Sequence, residues 1–183
     1  MSVRIVDPET RAPVVLGRPG LLLVRGPNVM RGYLDHPEKT AEVLNNGWYT
    51  TGDIAALDEG GFLQITDRLS RFSKIGGEMV PHVKVEEKLH EAYGTTETAF
   101  AVCGVPDPKK GERLVVLYTL PQNQLVDFLK KLPQLGLPNL WVPRPNQFFH
   151  VNTIPHLATG KMDLRAIRAM AAGLSAEQSG ENN

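Results

Sequence analysis

The pattern of hydrophobic and polar residues changes near residue 66. Residues 3–66 hold short apolar runs, such as VRIV and LLLV, separated by turn-forming segments such as GRPG and RGPN. Short apolar runs between glycine- and proline-containing segments are typical of β-strands. This part is therefore predicted to be a small barrel or curled sheet, with one short helix over residues 37–44.

Predicted strands and helices alternate after residue 66. The apolar segments FSKI, TAFAVCGV, RLVVLYTL and QFFHV are predicted strands. Helices are predicted over 81–93, in LVDFLKKL and over 163–172. One sheet with helices packed on it is an α+β domain. The predicted fold class is therefore α+β, a β-rich first part followed by a smaller α+β domain, with the boundary in residues 67–71.

The helix over 81–93 is predicted to be amphipathic. Val83, Val85 and Leu89 are assigned to the core. The charged positions are assigned to the solvated face: Lys84, Glu86, Glu87 and Lys88. At the end of the chain, residues 176–183 are mostly polar and are predicted to form a disordered tail.

Composition narrows the classes of partner. The 183 residues include 20 Lys and Arg and 20 Asp and Glu, so no net charge attracts nucleic acid or an anionic membrane. One cysteine, Cys103, cannot form an internal disulfide, and the spacing of His and Cys offers no zinc site. No segment has the roughly 18 apolar residues of a membrane span, or the pattern of a signal peptide. These features favour the cytoplasm.

Three short motifs contain residues that could take part in binding or catalysis. GWYTTGD contains the Asp53 carboxylate, IGGEMVP joins two glycines to a helix start, and ATGKMDL places Lys161 at the tip of a loop before a helix. Taken singly, each is compatible with an ordinary turn or an exposed lysine. ATGKMDL is not a P-loop, because Pro155 stands where that motif needs its first glycine. His90-Glu91 does not begin a zinc-protease motif, because Gly94 replaces the second histidine.

In this order and together, GWYTTGD, the first arginine of DRLSR, KIGGEMVP leading into VEE, and TGK resemble the last third of the adenylate-forming superfamily. This superfamily includes acyl-CoA synthetases, luciferases and the adenylation domains of peptide synthetases. In it, a large N-terminal domain holds most of the ATP and acyl site, and a small mobile C-terminal domain closes over it. The resemblance implies that residues 1–66 end the N-terminal domain, 67–71 form the hinge and 72–175 form the C-terminal lid domain.

The resemblance also implies roles in adenylate formation for individual residues. Asp53 resembles the carboxylate that binds the ribose hydroxyls of the adenylate. Arg68 resembles the arginine that contacts the ribose or phosphate region. Lys161 resembles the catalytic lysine, which lies between the acyl carboxylate and the α-phosphate.

Further roles concern thiol transfer and domain rotation. Gly76 and Gly77 resemble the loop that lines the phosphopantetheine tunnel, and Ser70 occupies the hinge position. Two positions depart from the family pattern. Asp67 stands where the family usually has glycine, and Ser70 replaces the common hinge Asp or Lys.

Within the superfamily, GLLLVRGPNVMRGYL, RFSKIGGEMV and LPNLWVPR are most similar to the acyl-acyl carrier protein synthetase part of bifunctional acylglycerophosphoethanolamine acyltransferases. This implies that a fatty acid is loaded onto the phosphopantetheine thiol of acyl carrier protein and then passed to a lysophospholipid. ATP and Mg²⁺ are the implied cofactors of the complete enzyme. An acyl-CoA synthetase, with coenzyme A as the acceptor, is the alternative.

The chain alone is expected to bind no cofactor tightly and to be inactive, because the family's phosphate loop and adenine-binding motif are not among its residues. A second hypothesis is a non-catalytic module that docks acyl carrier protein. Residues 1–66, without the remainder of the N-terminal domain, are expected to expose strand edges, so a dimer through these strands is a further expectation. The resemblance also allows association of the full-length protein with the inner membrane.

Overall fold

The computed structural model describes residues 1–180. The chain divides into two compact units, unit 1 (Met1–Ser70) and unit 2 (Arg71 onward). Each unit has its own five-stranded sheet. The predicted α+β class is confirmed.

Unit 1 is an antiparallel sheet in the order β1-β2-β4-β3, with β5 also paired to β4. Its elements are β1 (Ser2–Val6), β2 (Gly20–Arg25), α1 (Pro37–Val43), β3 (Leu44–Asn45), β4 (Trp48–Leu57) and β5 (Leu63–Arg68). Its buried apolar side chains are few: Val6, Leu21, Leu22, Ile54 and Ala55. Several large apolar side chains are more than half exposed: Val15, Leu16, Leu34, Phe62 and Ile65. A dimer through unit 1 stays a prediction.

Unit 2 is built around β9, which pairs with three strands. It is antiparallel to β8 and β6 and parallel to β10. Its elements are β6 (Phe72–Ile75), β7 (Glu78–Pro81), α2 (His82–Tyr93), β8 (Phe100–Asp107), β9 (Gly111–Tyr118), α3 (Gln122–Leu129), β10 (Phe148–His150) and α4 (Leu164–Gly180). Among residues 1–180, no helix has the length and apolar content needed to cross a membrane.

The sheet of unit 2 is covered on both faces. Along β8, Phe100 and Val102 belong to one hydrophobic cluster, whereas Ala101, Cys103 and Val105 belong to the other. Successive side chains of a strand point to opposite faces, so this alternation means that both faces are buried. Side chains of α2 and α3 complete the first cluster, and side chains of α4 complete the second.

Side chains of helix α2 also accept hydrogen bonds from backbone N–H groups at the outer edge of β8, the edge opposite its strand partner β9. Glu86 Oε1 accepts the Val102 N–H at 2.7 Å, and His90 Nε2 accepts the N–H groups of Ala99 and Phe100 at 3.0 and 3.2 Å. A buried backbone donor without a partner costs about 1–3 kcal/mol, so these two side chains replace a missing strand. The same contacts fix α2 along the sheet.

The prediction that Glu86 lies on a solvated face is wrong. Glu86 is 6% exposed, and its Oε2 forms an ion pair with Arg71 Nη2 at 2.5 Å. The helical period alone places Glu86 beside Leu89, three positions on, and therefore near the core-facing stripe. The carboxylate tolerates burial because Arg71 and the edge of β8 supply its partners.

The C-terminal helix is longer than the predicted 163–172. It runs over Leu164–Gly180, so residues 176–180 are helical where a disordered tail was predicted, and residues 181–183 lie outside the described residues. Buried side chains recur at every fourth position along it: Ile167, Ala171 and Ser175. The helix extends beyond its predicted end because this buried stripe continues to pack. In addition, Ala176, Glu177 and Gln178 are good helix formers.

We expect Glu86→Ala to destabilise unit 2 by about 3–5 kcal/mol, because removing one partner leaves the Arg71 charge buried and uncompensated. The measurement is urea unfolding followed by tryptophan fluorescence in a Trp48→Phe background, so that Trp141 of unit 2 alone reports. If the alanine variant does not fold, Glu86→Gln preserves the volume and still removes the charge.

The matched control is Glu87→Ala, one position along the same helix. Glu87 pairs with Lys84 at 3.1 Å, and both side chains are more than half exposed. An exposed pair of this kind contributes about 0–1 kcal/mol. Equal destabilisation by the two variants would contradict the structural role of the buried pair.

Candidate functional site

GWYTTGD lies within β4, where it forms a β-bulge. The pairing register with β2 shifts here, so that residues 51–53 oppose one residue, Leu22. Gly52 takes a φ of +77°, a conformation that glycine adopts without a steric penalty. The Thr51 hydroxyl donates to the Leu22 carbonyl and accepts the Asp53 N–H, each at 3.0 Å. Bulges re-aim side chains, and this one directs Asp53 toward β5.

Asp53 and Arg68 meet across β4 and β5. The two residues are register partners, and Arg68 Nε lies 2.8 Å from Asp53 Oδ1. Arg68 Nη1 also donates to the Thr51 carbonyl at 3.4 Å. The structure therefore brings together the two residues that the sequence assigns to nucleotide binding.

This pair offers an acceptor and a cation at one place on the surface. The Asp53 side chain is 20% exposed and the Arg68 side chain 63%. A carboxylate accepts hydrogen bonds from vicinal hydroxyls, and a guanidinium donates to phosphate oxygens. The arrangement suits a ligand that carries both a diol and an anion.

Gly76 and Gly77 form the two-residue loop of a β-hairpin between β6 and β7. Ile75 pairs with Glu78 at the base of the loop, and the glycines take φ values of +58° and +89°. Positive φ at both central positions is the signature of a type I′ turn. A Cβ atom at either glycine meets no heavy atom within 4 Å beyond its chain neighbours. Glycine is therefore required here by backbone conformation, and the space in front of the loop is open within unit 2.

Lys161 lies at a second tight turn of unit 2. The Leu157 N–H donates to the Lys161 carbonyl at 2.8 Å, and Gly160, with a φ of +80°, donates to the Leu157 carbonyl at 2.9 Å. The Lys161 side chain is exposed. Helix α4 follows at once, capped by Asp163 Oδ1, which accepts the N–H groups of Arg165 and Ala166. The ammonium group thus stands at the tip of a loop whose two ends are held by hydrogen bonds.

The remaining predicted residue, Ser70, is the last residue of unit 1 and lies in a 3₁₀ turn, Leu69–Arg71. Asp53 and Arg68 belong to unit 1, whereas the diglycine hairpin and Lys161 belong to unit 2. Across residues 1–180, no three His, Cys, Asp or Glu side chains cluster as a metal site.

Curated relatives of the chain are CoA ligases. The long-chain-fatty-acid–CoA ligase of Escherichia coli O157:H7 is 35% identical over 185 residues, which cover 94% of this chain and 32% of that protein. A feruloyl-CoA synthase of an Amycolatopsis species is 44% identical over 111 residues, which cover 61% of this chain and 22% of that protein. No protein-family model matches the chain.

Solved structures with the same fold carry ATP or an acyl adenylate. ATP-bound MatB from Rhodopseudomonas palustris has a TM-score of 0.73 and 26% identity, covering 94% of this chain and 34% of that one. The o-succinylbenzoate CoA synthetase MenE of Bacillus subtilis, in complex with its acyl-adenylate intermediate, has a TM-score of 0.66 and 27% identity, covering 91% and 34%. The homologues of this chain are adenylate-forming ligases. The chain spans about a third or less of the length of these ligases.

A buried polar cluster next to the diglycine hairpin is not among the predicted site residues. Ser73 Oγ lies 2.8 Å from His82 Nε2, and both residues are 1% exposed. Burial, with smaller contributions from the charges of Arg71 and Arg168, lowers the pKa of His82 from 6.5 to about 3. The sequence held one signal for this cluster: His82 lies at the start of the predicted helix, directly after Pro81 and close to the two glycines.

We expect His82 to make unit 2 less stable in acid. Its folded pKa lies below its unfolded value, so between about pH 6.5 and about pH 3 the unfolded chain binds a proton that the folded chain does not. The contribution of neutral His82 to the free energy of unfolding is fully present above pH 6.5. It falls as the pH is lowered, by up to about 1.4 kcal/mol per pH unit for one group. The measurement is urea unfolding of unit 2 across this pH range.

Comparison with His82→Gln isolates this contribution, because the other titrating groups are common to both proteins. The variant should lose the part of the pH slope that the histidine supplies. His150→Gln, at an exposed position, serves as the control. Identical slopes for the wild type and His82→Gln would remove the assigned role.

Proposed function

We propose that this chain is the C-terminal portion of an ATP-dependent acid–thiol ligase. Residues 1–66 would end the N-terminal domain, 67–71 would form the hinge and 72–175 the mobile lid domain. The observation that carries the proposal is the Asp53–Arg68 pair, which presents a carboxylate and a guanidinium from adjacent strands. ATP and an acyl adenylate in the structural neighbours support this ligand class.

The first half-reaction would form an acyl adenylate. A carboxylate oxygen of the acid attacks the α-phosphorus of ATP, the bond to the β-phosphate oxygen breaks, and pyrophosphate leaves. Asp53 would accept hydrogen bonds from the ribose hydroxyls, and Arg68 would donate to the ribose or phosphate oxygens. Lys161 would stabilise the negative charge between the acyl carboxylate and the α-phosphate, a role that requires accurate placement of its ammonium group.

The second half-reaction would transfer the acyl group to a thiol. The thiolate attacks the acyl carbonyl, the bond to the phosphate oxygen breaks, and AMP leaves while the thioester forms. The Gly76-Gly77 hairpin would border the path of the phosphopantetheine arm. The open space in front of these glycines supports this role, because any side chain there would project into it.

Ser70 would act as the hinge between the two half-reactions. The boundary between the two compact units falls directly after it. The next residue, Arg71, is buried and ion-paired within unit 2. A hinge needs residues that absorb changes in φ and ψ, and an anchored Arg71 would confine those changes to the residues before it.

The acceptor is either the thiol of acyl carrier protein or that of coenzyme A, both of which end in phosphopantetheine. The resemblance of RFSKIGGEMV and LPNLWVPR favours acyl carrier protein, with a fatty acid as substrate and lysophospholipid reacylation at the inner membrane as the use of the product. The names of the relatives, which are CoA ligases, favour coenzyme A as a second candidate. Assays of the complete protein with both thiols distinguish them: loading of coenzyme A alone contradicts the carrier-protein hypothesis.

The fragment hypothesis has its own test. The reading frame that precedes Met1 should continue and encode a Ser/Thr/Gly-rich phosphate loop. The isolated chain should then catalyse no ATP–pyrophosphate exchange with any fatty acid. Exchange by the isolated chain would overturn the assignment of most of the site to another segment.

In the complete ligase, we expect Lys161→Ala and Gly77→Val to impair different half-reactions. Lys161→Ala removes a charge that acts during adenylate formation and should slow it by about 100-fold or more, while thiol transfer from a supplied acyl adenylate stays near wild type. Gly77→Val places a branched side chain beside the thiol path and should slow thioester formation more than adenylation. Single-turnover measurement of each step decides between these outcomes.

Matched controls exist for both variants. Lys130→Ala removes an exposed lysine that pairs with Asp127. Gly136→Val imposes the same backbone strain at another open glycine of unit 2, with a φ of +68°. Equal losses in both half-reactions for Lys161→Ala, or equal effects of the two glycine variants, would contradict the assigned roles.

A further inference from the structure

Leu157 lies directly opposite Lys161 across the turn that carries the lysine. The Leu157 N–H donates to the Lys161 carbonyl at 2.8 Å, and the Gly160 N–H donates to the Leu157 carbonyl at 2.9 Å. These two bonds close a three-residue hairpin loop, residues 158–160. Gly160 takes the left-handed φ of +80° that such a loop needs at its last position. Leu157 and Lys161 are therefore the closing pair of the hairpin.

The two short arms of this hairpin have an inner and an outer face. His156 and Met162 form the pair next to Leu157 and Lys161. Met162 packs against the hydrophobic cluster that α4 completes, so the face of this pair is the inner one. Because successive side chains of an extended chain point to opposite faces, Leu157 and Lys161 share the outer face, which is turned away from that cluster.

Unit 2 leaves about half of the Leu157 side chain uncovered on this outer face. Leu157 is 48% exposed, and Lys161 beside it is also exposed. Directly opposed residues of a hairpin have Cβ atoms about 4.5–5.5 Å apart. The isobutyl group of Leu157 is therefore within reach of the methylene stem of Lys161.

A lysine side chain gains order from an apolar neighbour. Its flexible stem has about 2 kcal/mol of rotamer entropy, and its ammonium group is a compact point charge. Apolar surface lets the stem pack while the charged end projects beyond it. The three loop residues, Ala158, Thr159 and Gly160, offer at most one methyl group each. Leu157 is therefore the largest apolar surface on the turn that carries Lys161.

We propose that Leu157 is a positioning residue for Lys161, which holds the lysine stem so that the ammonium group projects from the turn toward the reacting atoms. The inference rests on the proposed role of Lys161 in adenylate formation. An isobutyl group beside the ammonium also displaces water, and charges attract each other more strongly where water is excluded. Leu157 acts through the lysine, so its effect is confined to the half-reaction that uses the lysine.

Contact between the two side chains is tested by NMR of the full 183-residue chain. We expect nuclear Overhauser effects between the methyl groups of Leu157 and the δ and ε methylene protons of Lys161. Leu157→Ala should increase the motion of the Lys161 Cε atom, measured by ¹³C relaxation. The matched control is Val126→Ala, which shortens another exposed apolar side chain of unit 2 and should leave that motion unchanged. Absence of the Overhauser effects, or equal motion in the wild type and Leu157→Ala, would overturn the proposal.

The consequence for catalysis is tested by single-turnover kinetics of the complete ligase. Leu157→Ala should slow adenylate formation by about tenfold, because the ammonium group is then placed less accurately. The KM for ATP and the rate of thiol transfer from a supplied acyl adenylate should stay near wild type. Leu157→Met, which keeps an apolar side chain of similar volume, should retain most of the adenylation rate. Val126→Ala should match the wild type in both half-reactions.

A double-mutant cycle determines whether Leu157 acts through Lys161. In the Lys161→Ala background, Leu157→Ala should cause no further loss of adenylation. A further loss in that background, or equal losses in both half-reactions, would give Leu157 a role independent of the lysine and contradict the proposal. Failure of the proposed function has a different result, because Lys161→Ala would then adenylate at the wild-type rate whatever the effect of Leu157→Ala.

Discussion

The buried ion pair between Arg71 and Glu86 is the contact on which the arrangement of unit 2 depends. It joins the first residue of the unit to helix α2, and the same carboxylate accepts the Val102 N–H at the edge of β8. Removing two charges from water costs several kcal/mol per ion, so such a pair is tolerated only when further hydrogen bonds complete it. Here the edge of the sheet supplies that hydrogen bond, which couples the position of the helix to the position of the strand.

Helix α2 in turn positions the hairpin that precedes it. His82 is its first residue and contacts Ser73 on β6, while Pro81, the residue before it, pairs with Phe72. The strands β6 and β7 that carry the Gly76-Gly77 turn are therefore held at their base by buried contacts, and the turn itself faces open space. A rigid base with an open tip is the arrangement expected of a loop that borders a ligand path.

Net charge and local charge differ in this protein. Twenty basic residues balance twenty acidic ones, which argues against long-range attraction of polyanions. Nevertheless, one basic pocket of unit 2 has four cations and a single carboxylate, Asp107, in its lining; the cations are Lys109, Lys110, Arg113 and Arg144. Because exposed charges interact over about 10 Å at moderate ionic strength, the local cluster sets the electrostatic field at the pocket although the total charge is zero.

The sequence by itself determined the local elements of the fold. Apolar runs of strand length, a proline at a helix start and two consecutive glycines at a turn are local signals, because they act through neighbouring dihedral angles and the side-chain period. They sufficed for the α+β class and for the turns that contain Gly76, Gly77 and Lys161. They did not predict β7 (Glu78–Pro81), which lies between the diglycine turn and the helix. The order of four short motifs along the chain also indicated the similarity to adenylate-forming ligases.

Only the tertiary structure decided which charged residues are buried and which distant residues meet. The sequence pattern assigns Glu86 to the surface, whereas in the structure it is buried with Arg71 and the edge of β8 as its partners. The Asp53–Arg68 contact requires two register shifts, and the basic pocket draws its cations from segments about thirty residues apart. Burial of a charge depends on partners that lie far away in the chain, and no local pattern of hydrophobic and polar positions encodes them.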